Sequence, residues 1–314
     1  MKSLIFILFA LMLNGSPLFP YSRPSRENAV AGGTGGAFTA YQDDPEVLYY
    51  NPAGCYSLER NSVSLNYNDY LNNLEPESGL TAEDGYFPVD ACSYSLNLAL
   101  AVKQAGCLGL SYTAFNYSGL NHVDILGLSF SFDLSRLIRL SRGAGMGLSV
   151  KYVRNGYSPT VYNEDFFREY NSGTSGFSLD AGFLFTIMDK LKLGIGLIDC
   201  IGTETGLKDE DVTPGCYRLG LLYTENIHPV GGSILRVLFD CDYEDRDYNL
   251  HAGAEWELPA AGVTLRTGVN FHYLALGAGY EYGHFISLNY AVNYYIGGFE
   301  GAVLDHRLNA GVKF

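Results

Sequence analysis

Hydrophobic and polar residues alternate along most of this chain. At its end Leu308, Ala310, Val312 and Phe314 interleave with Arg307, Asn309, Gly311 and Lys313. Successive side chains of a strand point to opposite faces, so one face is apolar and the other wet. The same split recurs in Ile286/Leu288/Tyr290/Val292/Tyr294 against Ser287/Asn289/Ala291/Asn293, and in Val63/Leu65/Tyr67 against Ser64/Asn66/Asn68. Met146/Leu148/Val150/Tyr152 oppose Gly147/Ser149/Lys151, and Phe177/Leu179/Ala181/Phe183/Phe185 oppose Ser178/Asp180/Gly182. Segments of this kind predict about fourteen strands, centred near Leu65, Leu96, Leu110, Leu128, Leu148, Leu179, Gly194, Leu219, Leu235, Gly253, Leu265, Ala278, Tyr290 and Ala310.

Alternation alone also fits a soluble sandwich with one buried face. The polar set decides against it, being mostly Gly, Ser, Asn and Thr rather than the Lys and Glu that coat soluble sheets. Small uncharged side chains suit a crowded barrel interior, and an even strand count suits a single-chain transmembrane barrel. The fold class expected is therefore all-β, a transmembrane antiparallel β-barrel of about fourteen strands. With both ends of the barrel on the inner side, connections after odd strands face outward and are the long ones. The outer loops predicted are roughly 71–91, 116–123, 154–175, 201–215 and 296–304, against tight inner turns at 103–106, 187–190 and 283–284. One inner connection, Asp133 to Arg142, holds three Arg among Leu and Ile; it reads either as a short amphipathic helix at the interface or as a solvated basic turn.

Composition supports the barrel. Charged residues are 17% of the chain while 25 Tyr, 18 Phe and 37 Gly are present, which matches lipid-facing strands better than a soluble surface. No segment after the N-terminus offers the ~18 unbroken apolar residues of a membrane helix. Met1-Lys2-Ser3 followed by the apolar run Leu4 to Leu13 reads as a secretory signal peptide over residues 1–22, which sends the chain to the cell outer membrane. A net charge of -14 argues against a nucleic-acid partner, whose phosphates require clustered cations.

Little here points to chemistry. Six Cys are scattered with no Cys-x-x-Cys pair, and no His pair has metal-site spacing, so no metal or cofactor is expected. Cys200 and Cys216 bracket a predicted outer loop; a disulfide would pin its base in an oxidising compartment, and unpaired each packs as a small hydrophobe. The acidic stretches 75–90 and 204–211 lack the spacing of a calcium loop. Asp305-His306 has no companion serine elbow, and no enzymatic activity is expected. Val161 to Tyr170 clusters Phe166 and Phe167 with Arg168, a candidate mouth for an amphipathic acid or, equally, part of an interfacial aromatic girdle.

The stretch before the first strand is the informative one. Ala29 to Gly54 is glycine-rich, and Gly lets backbone approach backbone closely, as a segment threaded into a lumen must. Gly36-Ala37-Phe38-Thr39-Ala40-x-x-Asp43-Asp44-Pro45-x-x-Leu48-Tyr49-Tyr50-Asn51-Pro52-Ala53-Gly54 resembles the N-terminal signature of FadL-like outer-membrane proteins, the long-chain fatty-acid transporter superfamily, with its PorV-like members and spirochaete paralogues. The Asn51-Pro52-Ala53 motif is its most characteristic element, and His306 to Phe314 resembles the closing strand of these barrels, where the barrel-assembly machinery reads the terminal aromatic. The resemblance implies a signal peptide at 1–22, an N-terminal hatch at 23–60 and a barrel at 61–314. Phe38, Asn51, Pro52, Ala53 and Gly54 would be hatch residues. It further implies capture of long-chain fatty acids or other hydrophobic small molecules at the outer loops, passage gated by the hatch, and lateral release into outer-membrane lipid. The chain is shorter than the transporter, with reduced outer loops. Two alternatives stand beside transport: a PorV-like assembly or secretion partner, and a small-solute porin, against which the glycine-rich plug argues.

Overall fold

The computed structural model describes residues 28–72, 91–103, 105–117, 121–138, 142–158, 164–204, 206–207, 212–227, 232–296 and 304–314. The predicted signal peptide, the acidic stretch 75–90 and most of the stretch 204–211 lie outside the described residues.

Fourteen strands close into one antiparallel barrel. In chain order they are β1 Ser62–Asn72, β2 Ala91–Val102, β3 Gly106–Tyr117, β4 Asn121–Asp133, β5 Ala144–Tyr157, β6 Gly173–Met188 and β7 Leu191–Ile201. The second half comprises β8 Cys216–Ile227, β9 Ser233–Glu244, β10 Asp247–Leu258, β11 Val263–Asn270, β12 Tyr273–Tyr282, β13 Ile286–Tyr295 and β14 Leu304–Lys313. Every centre predicted from alternation falls inside its own strand. Each strand pairs with its sequence neighbours, and β1 closes on β14 from Ser62↔Lys313 to Asp69↔His306. Closure leaves no sheet edge, the condition for a sheet to cross hydrocarbon, where an unpaired backbone group has no water to bond.

The two faces separate as the sequence predicts. Leu65, Leu128, Leu276 and Phe314 point outward and are more than half exposed, at 58%, 55%, 63% and 61%. Asn66, Asn97, Ser129, Asn293 and Arg307 point inward and are buried. A soluble sandwich would show the reverse, so that alternative is overturned: the apolar residues form the outer surface.

Both chain ends of the barrel lie at one rim, together with the short turns 189–190, 259–262 and 283–285. The long connections leave from the opposite rim. Three of that rim's connections are shorter than expected: Asp245 and Arg246 turn the chain with φ of 46° and 72°, the left-handed pair of a two-residue hairpin, residues 271–272 join β11 to β12, and β3 and β4 are separated by residues 118–120 alone where 116–123 was expected. The inner basic connection contains a four-residue helix, Ser135–Ile138, with Leu137 and Ile138 exposed. A seven-residue helix that the sequence pattern did not reveal, Glu164–Tyr170, stands in the outer connection between β5 and β6.

Candidate functional site

The lumen is filled by the chain's own N-terminal segment. A short helix, Ala29–Gly33, is followed by a turn and two 3-10 turns, Pro45–Tyr49 and Pro52–Cys55, and nearly every residue from Asn28 to Cys55 is buried. Proline opens each 3-10 turn, where its missing N–H costs nothing. The Asp44 and Asn51 side chains cap the turns, accepting from Glu46 N and Ala53 N at 2.9 and 3.0 Å. Phe38, Val47, Leu48 and Tyr50 form the centre of the plug, with Phe38 stacked on Tyr41 at 4.4 Å and edge-on to Tyr50 at 5.4 Å.

Glycines on the wall make room for it. A Cβ on Gly147 or Gly182 would collide with Asn51, Pro52 and Ala53; on Gly194 or Gly220 with Thr39; on Gly196 with Tyr50; on Gly253 or Gly268 with Thr34. Several face one another across the ladder, as in Gly147↔Gly182↔Gly196 and Gly253↔Gly268. The lumenal face is thus pared back to backbone in a belt matching the plug, so chain packs directly on strand and the lumen is closed at that level.

Polar side chains of the wall then hold the plug's backbone, which has no sheet of its own to bond with. Asp240 Oδ2 accepts from Phe38 N and Thr39 N, both at 2.7 Å. His251 Nδ1 lies 2.7 Å from Gly35 O; a carbonyl only accepts, so that nitrogen carries the proton. The Asn51 amide donates to Thr39 O and to Phe183 O on the wall, each at 2.9 Å. Substituting Asp240 by Ala removes two charge-assisted bonds worth about 1.5–3 kcal/mol each. Amide exchange at Phe38 and Thr39 should then accelerate by about a hundredfold; unchanged exchange would contradict the anchoring role.

Glu46 is the centre of a second anchor. Its carboxylate accepts from Asn28 Nδ2 at 3.1 Å, Asn66 Nδ2 at 2.8 Å, Asn97 Nδ2 at 2.9 Å, Asn309 Nδ2 at 3.2 Å and the Ser64 hydroxyl. These donors come from the plug, β1, β2 and β14, so one carboxylate bridges the seam at which the barrel closes. At the inner end Tyr41 donates to Glu255 at 2.9 Å, and Glu255 is held by Arg236 and Arg266 at 2.5 and 2.6 Å. Burial, then the Glu255 charge, pushes the Tyr41 hydroxyl far above the usual phenol range. These groups line an inner vestibule of about 670 Å³, with Lys192, Lys313, Asp43 and Asp44 also on its walls.

On the outer side of the plug the wall changes character. Val123, Ile125 and Val153 form a buried apolar cluster with Phe115 on the lumenal faces of β3 to β5. The Tyr70 ring of β1 lies 5.9 Å from Phe115. Tyr49 of the plug marks the inner limit of this patch, its hydroxyl accepting from Thr113 at 2.8 Å. Between patch and plug Lys151 pairs with Asp180 at 2.6 Å and with Asp199.

Solved structures share this barrel fold. The toluene transporter TbuX of Ralstonia pickettii superposes with a TM-score of 0.58 at 11% identity, covering 92% of this chain and 98% of that one. A FadL homologue of Pseudomonas aeruginosa gives 0.58 at 13% identity, covering 92% and 98%. The fold is that of the FadL-type barrels. CymD, a monoaromatic hydrocarbon channel, agrees at 0.55 and 14% identity over 91% and 97% of the two chains. No protein-family profile matches the chain, and no curated relative matches it in sequence.

Within the FadL-type fold the residues singled out by sequence are placed as follows. Phe38, Asn51, Pro52, Ala53 and Gly54 all lie in the lumen; Asn51, Pro52 and Ala53 are brought against Gly147 and Gly182, Gly54 against Val47, and Phe38 against Tyr41 and Tyr50. Phe167 and Arg168 stand apart from them on the outer helix: Phe167 stacks at 6.0 Å on Tyr157, and Arg168, 70% exposed in its side chain, lies 3.4 Å from Asp165. The Phe166 side chain lies outside the described residues. Cys200 and Cys216 do not bridge: Cys200 is on the exterior face, its thiol 3.1 Å from Leu179 O, while Cys216 is buried on the lumenal face. A disulfide there would need both on one face. Sequence reading missed Glu46, although a carboxylate close to Asp43 and Asp44 in a segment without Lys or Arg, matched by Asn at lumenal positions of β1, β2 and β14, was signal enough. It also missed Val123, Ile125 and Val153, apolar side chains on the lumenal face.

Proposed function

We propose that this chain is an outer-membrane channel for hydrophobic small molecules, which gather on the apolar outer lumen and pass when the N-terminal segment yields. The observation carrying this reading is the apolar patch of Val123, Ile125, Val153 and Phe115 on the lumenal wall to the outer side of the plug. A hydrocarbon leaving water for that wall gains roughly 25 cal/mol per Å² buried, and an ion or sugar gains nothing there. The solved neighbours include a toluene transporter and a monoaromatic hydrocarbon channel, which supports the ligand class. Long-chain fatty acids belong to the same class, and Phe167 with Arg168 would form the outermost contact for an acid headgroup.

The inner vestibule supports a sideways exit. Its Arg, Lys, Asp and Glu side chains hold water against the inner face of the plug, an unfavourable route for a hydrocarbon. Strand pairing breaks register beside β6 between Leu179 and Ala181 and between Thr186 and Met188, so the wall is least regular there.

Binding of toluene and of oleate to purified protein, followed by calorimetry in detergent, tests the site. Ile125→Asn sets an amide into the patch, which costs about 1–3 kcal/mol and should weaken binding roughly tenfold or more, while Arg168→Ala should affect oleate alone. Equal affinity in Ile125→Asn and the parent protein would remove the patch from the account.

A further inference from the structure

Two cysteines meet where the plug touches the wall. Cys55 is the last residue of the second 3-10 turn and Cys107 the second residue of β3. Both are buried, at 0% and 1% exposure, and belong to one apolar cluster with Ala99, Val47 and Leu48. The neighbouring Cys107 thiol, together with burial, pushes the Cys55 thiol well above the usual range, and each sulfur also lies near a backbone carbonyl, Cys55 Sγ 3.5 Å from Asp44 O and Cys107 Sγ 3.7 Å from Leu108 O. Two residues along β3 the approach is equally close: a Cβ on Gly109 would lie 2.6 Å from Leu48 Cδ1. Plug and strand are therefore in direct contact at this point, and the two cysteines sit in one buried cluster, the kind of close approach that a disulfide requires. The other four cysteines are placed differently. Cys92, Cys200 and Cys241 sit at exterior positions of their strands, and Cys216 is at the outer end of β8.

We infer that Cys55 and Cys107 form a disulfide in the exported protein, fastening the plug to the barrel wall at its C-terminal end. The oxidant is a disulfide of the exporting compartment, carried by a thiol oxidoreductase or by a small thiol. One cysteine thiolate attacks that disulfide and expels a thiol. The second cysteine then attacks the mixed disulfide and expels the other, so two cysteine thiols and one disulfide become one new disulfide and two thiols. Both sulfurs are shut away from solvent once the plug is seated, and a buried thiol is inert to such exchange. The bond therefore forms during assembly and records that the plug docked in its native register. Once formed it tethers Cys55 to β3 and leaves the stretch before it held by hydrogen bonds and packing alone. The inference rests on the position of the plug and is independent of what the channel carries.

The test is performed on full-length protein isolated from an oxidising envelope. Free thiols are alkylated under denaturing, non-reducing conditions before digestion and mass spectrometry. The expected result is a peptide containing Cys55 cross-linked to one containing Cys107, with Cys92, Cys200, Cys216 and Cys241 alkylated. Protein refolded into detergent with reduced glutathione and glutathione disulfide should give the same link. Non-reducing gels should show a mobility change on reduction that Cys55→Ser and Cys107→Ser each abolish and Cys241→Ser retains. Alkylation of both Cys55 and Cys107 in envelope-derived and refolded protein alike would overturn the inference, as would either cysteine linked to one of the other four.

Discussion

Gly147→Val is expected to open the barrel to ions. Its side chain would enter the space held by Pro52 and Ala53, where both contacting surfaces are backbone and neither can rotate away. The wall cannot give, since Gly147 is paired with Ser131 on one side and Gly182 on the other, so the plug moves. Overpacking costs about 1–3 kcal/mol, and each Asn51 bond lost to Thr39 or Phe183 adds about 1 kcal/mol. Together these should raise the displaced population by about ten- to a thousandfold. Conductance across a planar bilayer should therefore be frequent in the variant and rare in the parent protein. A silent Gly147→Val barrel that still folds would mean that the belt does not seat the plug. Gly215→Ala, whose added Cβ would meet nothing nearer than 3.4 Å, is the control for a glycine outside the belt.

Glu46→Leu should weaken the whole barrel. Removing the carboxylate strands the amides of Asn28, Asn66, Asn97 and Asn309 and the Ser64 hydroxyl. Buried donors without acceptors cost about 1–3 kcal/mol each, on the order of 3–5 kcal/mol here after partial relaxation. The melting temperature in detergent should fall by roughly 10 °C. A loss within error of zero would show that the seam closes without the plug. The same residue gives a pH dependence. Burial, with the Asp44 charge adding to it, pushes the Glu46 carboxyl from 4.5 up to about 7, while bonds from Ser64, Asn66 and Asn97 restrain it. A carboxyl raised in the folded state binds its proton more tightly there, so its contribution is complete below pH ~4.5 and fades as pH rises through about 7. The parent protein should melt higher at pH 5 than at pH 8 by an amount that shrinks in Glu46→Leu. A parent slope of opposite sign would contradict this assignment.

The barrel was legible because its physics is local. Period two needs only neighbouring residues, and Leu308-Asn309-Ala310-Gly311-Val312 states which face meets hydrocarbon before any partner strand is known. The plug was legible only through composition and the Asn51-Pro52-Ala53 resemblance. Its fit was not: Gly147, Gly182, Gly194 and Gly253 read as small lumenal residues, and nothing in the chain tells that each faces a particular peptide of a segment up to about two hundred positions away. The same limit applied to Cys55 and Cys107, whereas Cys200 and Cys216, closer in sequence and bracketing a loop, proved to face opposite sides of the sheet. The outer helix Glu164–Tyr170 was hidden because seven residues with three aromatics and three acids carry no clear period.

The central claim is that the lumen is closed to water-soluble compounds yet passes hydrophobic ones. It is tested most directly by uptake into vesicles whose outer leaflet is lipopolysaccharide, with labelled toluene and labelled glucose offered together. The account predicts that the protein accelerates toluene entry over protein-free vesicles and leaves glucose outside. Entry of glucose, or toluene uptake no faster than through the bare asymmetric bilayer, would contradict it.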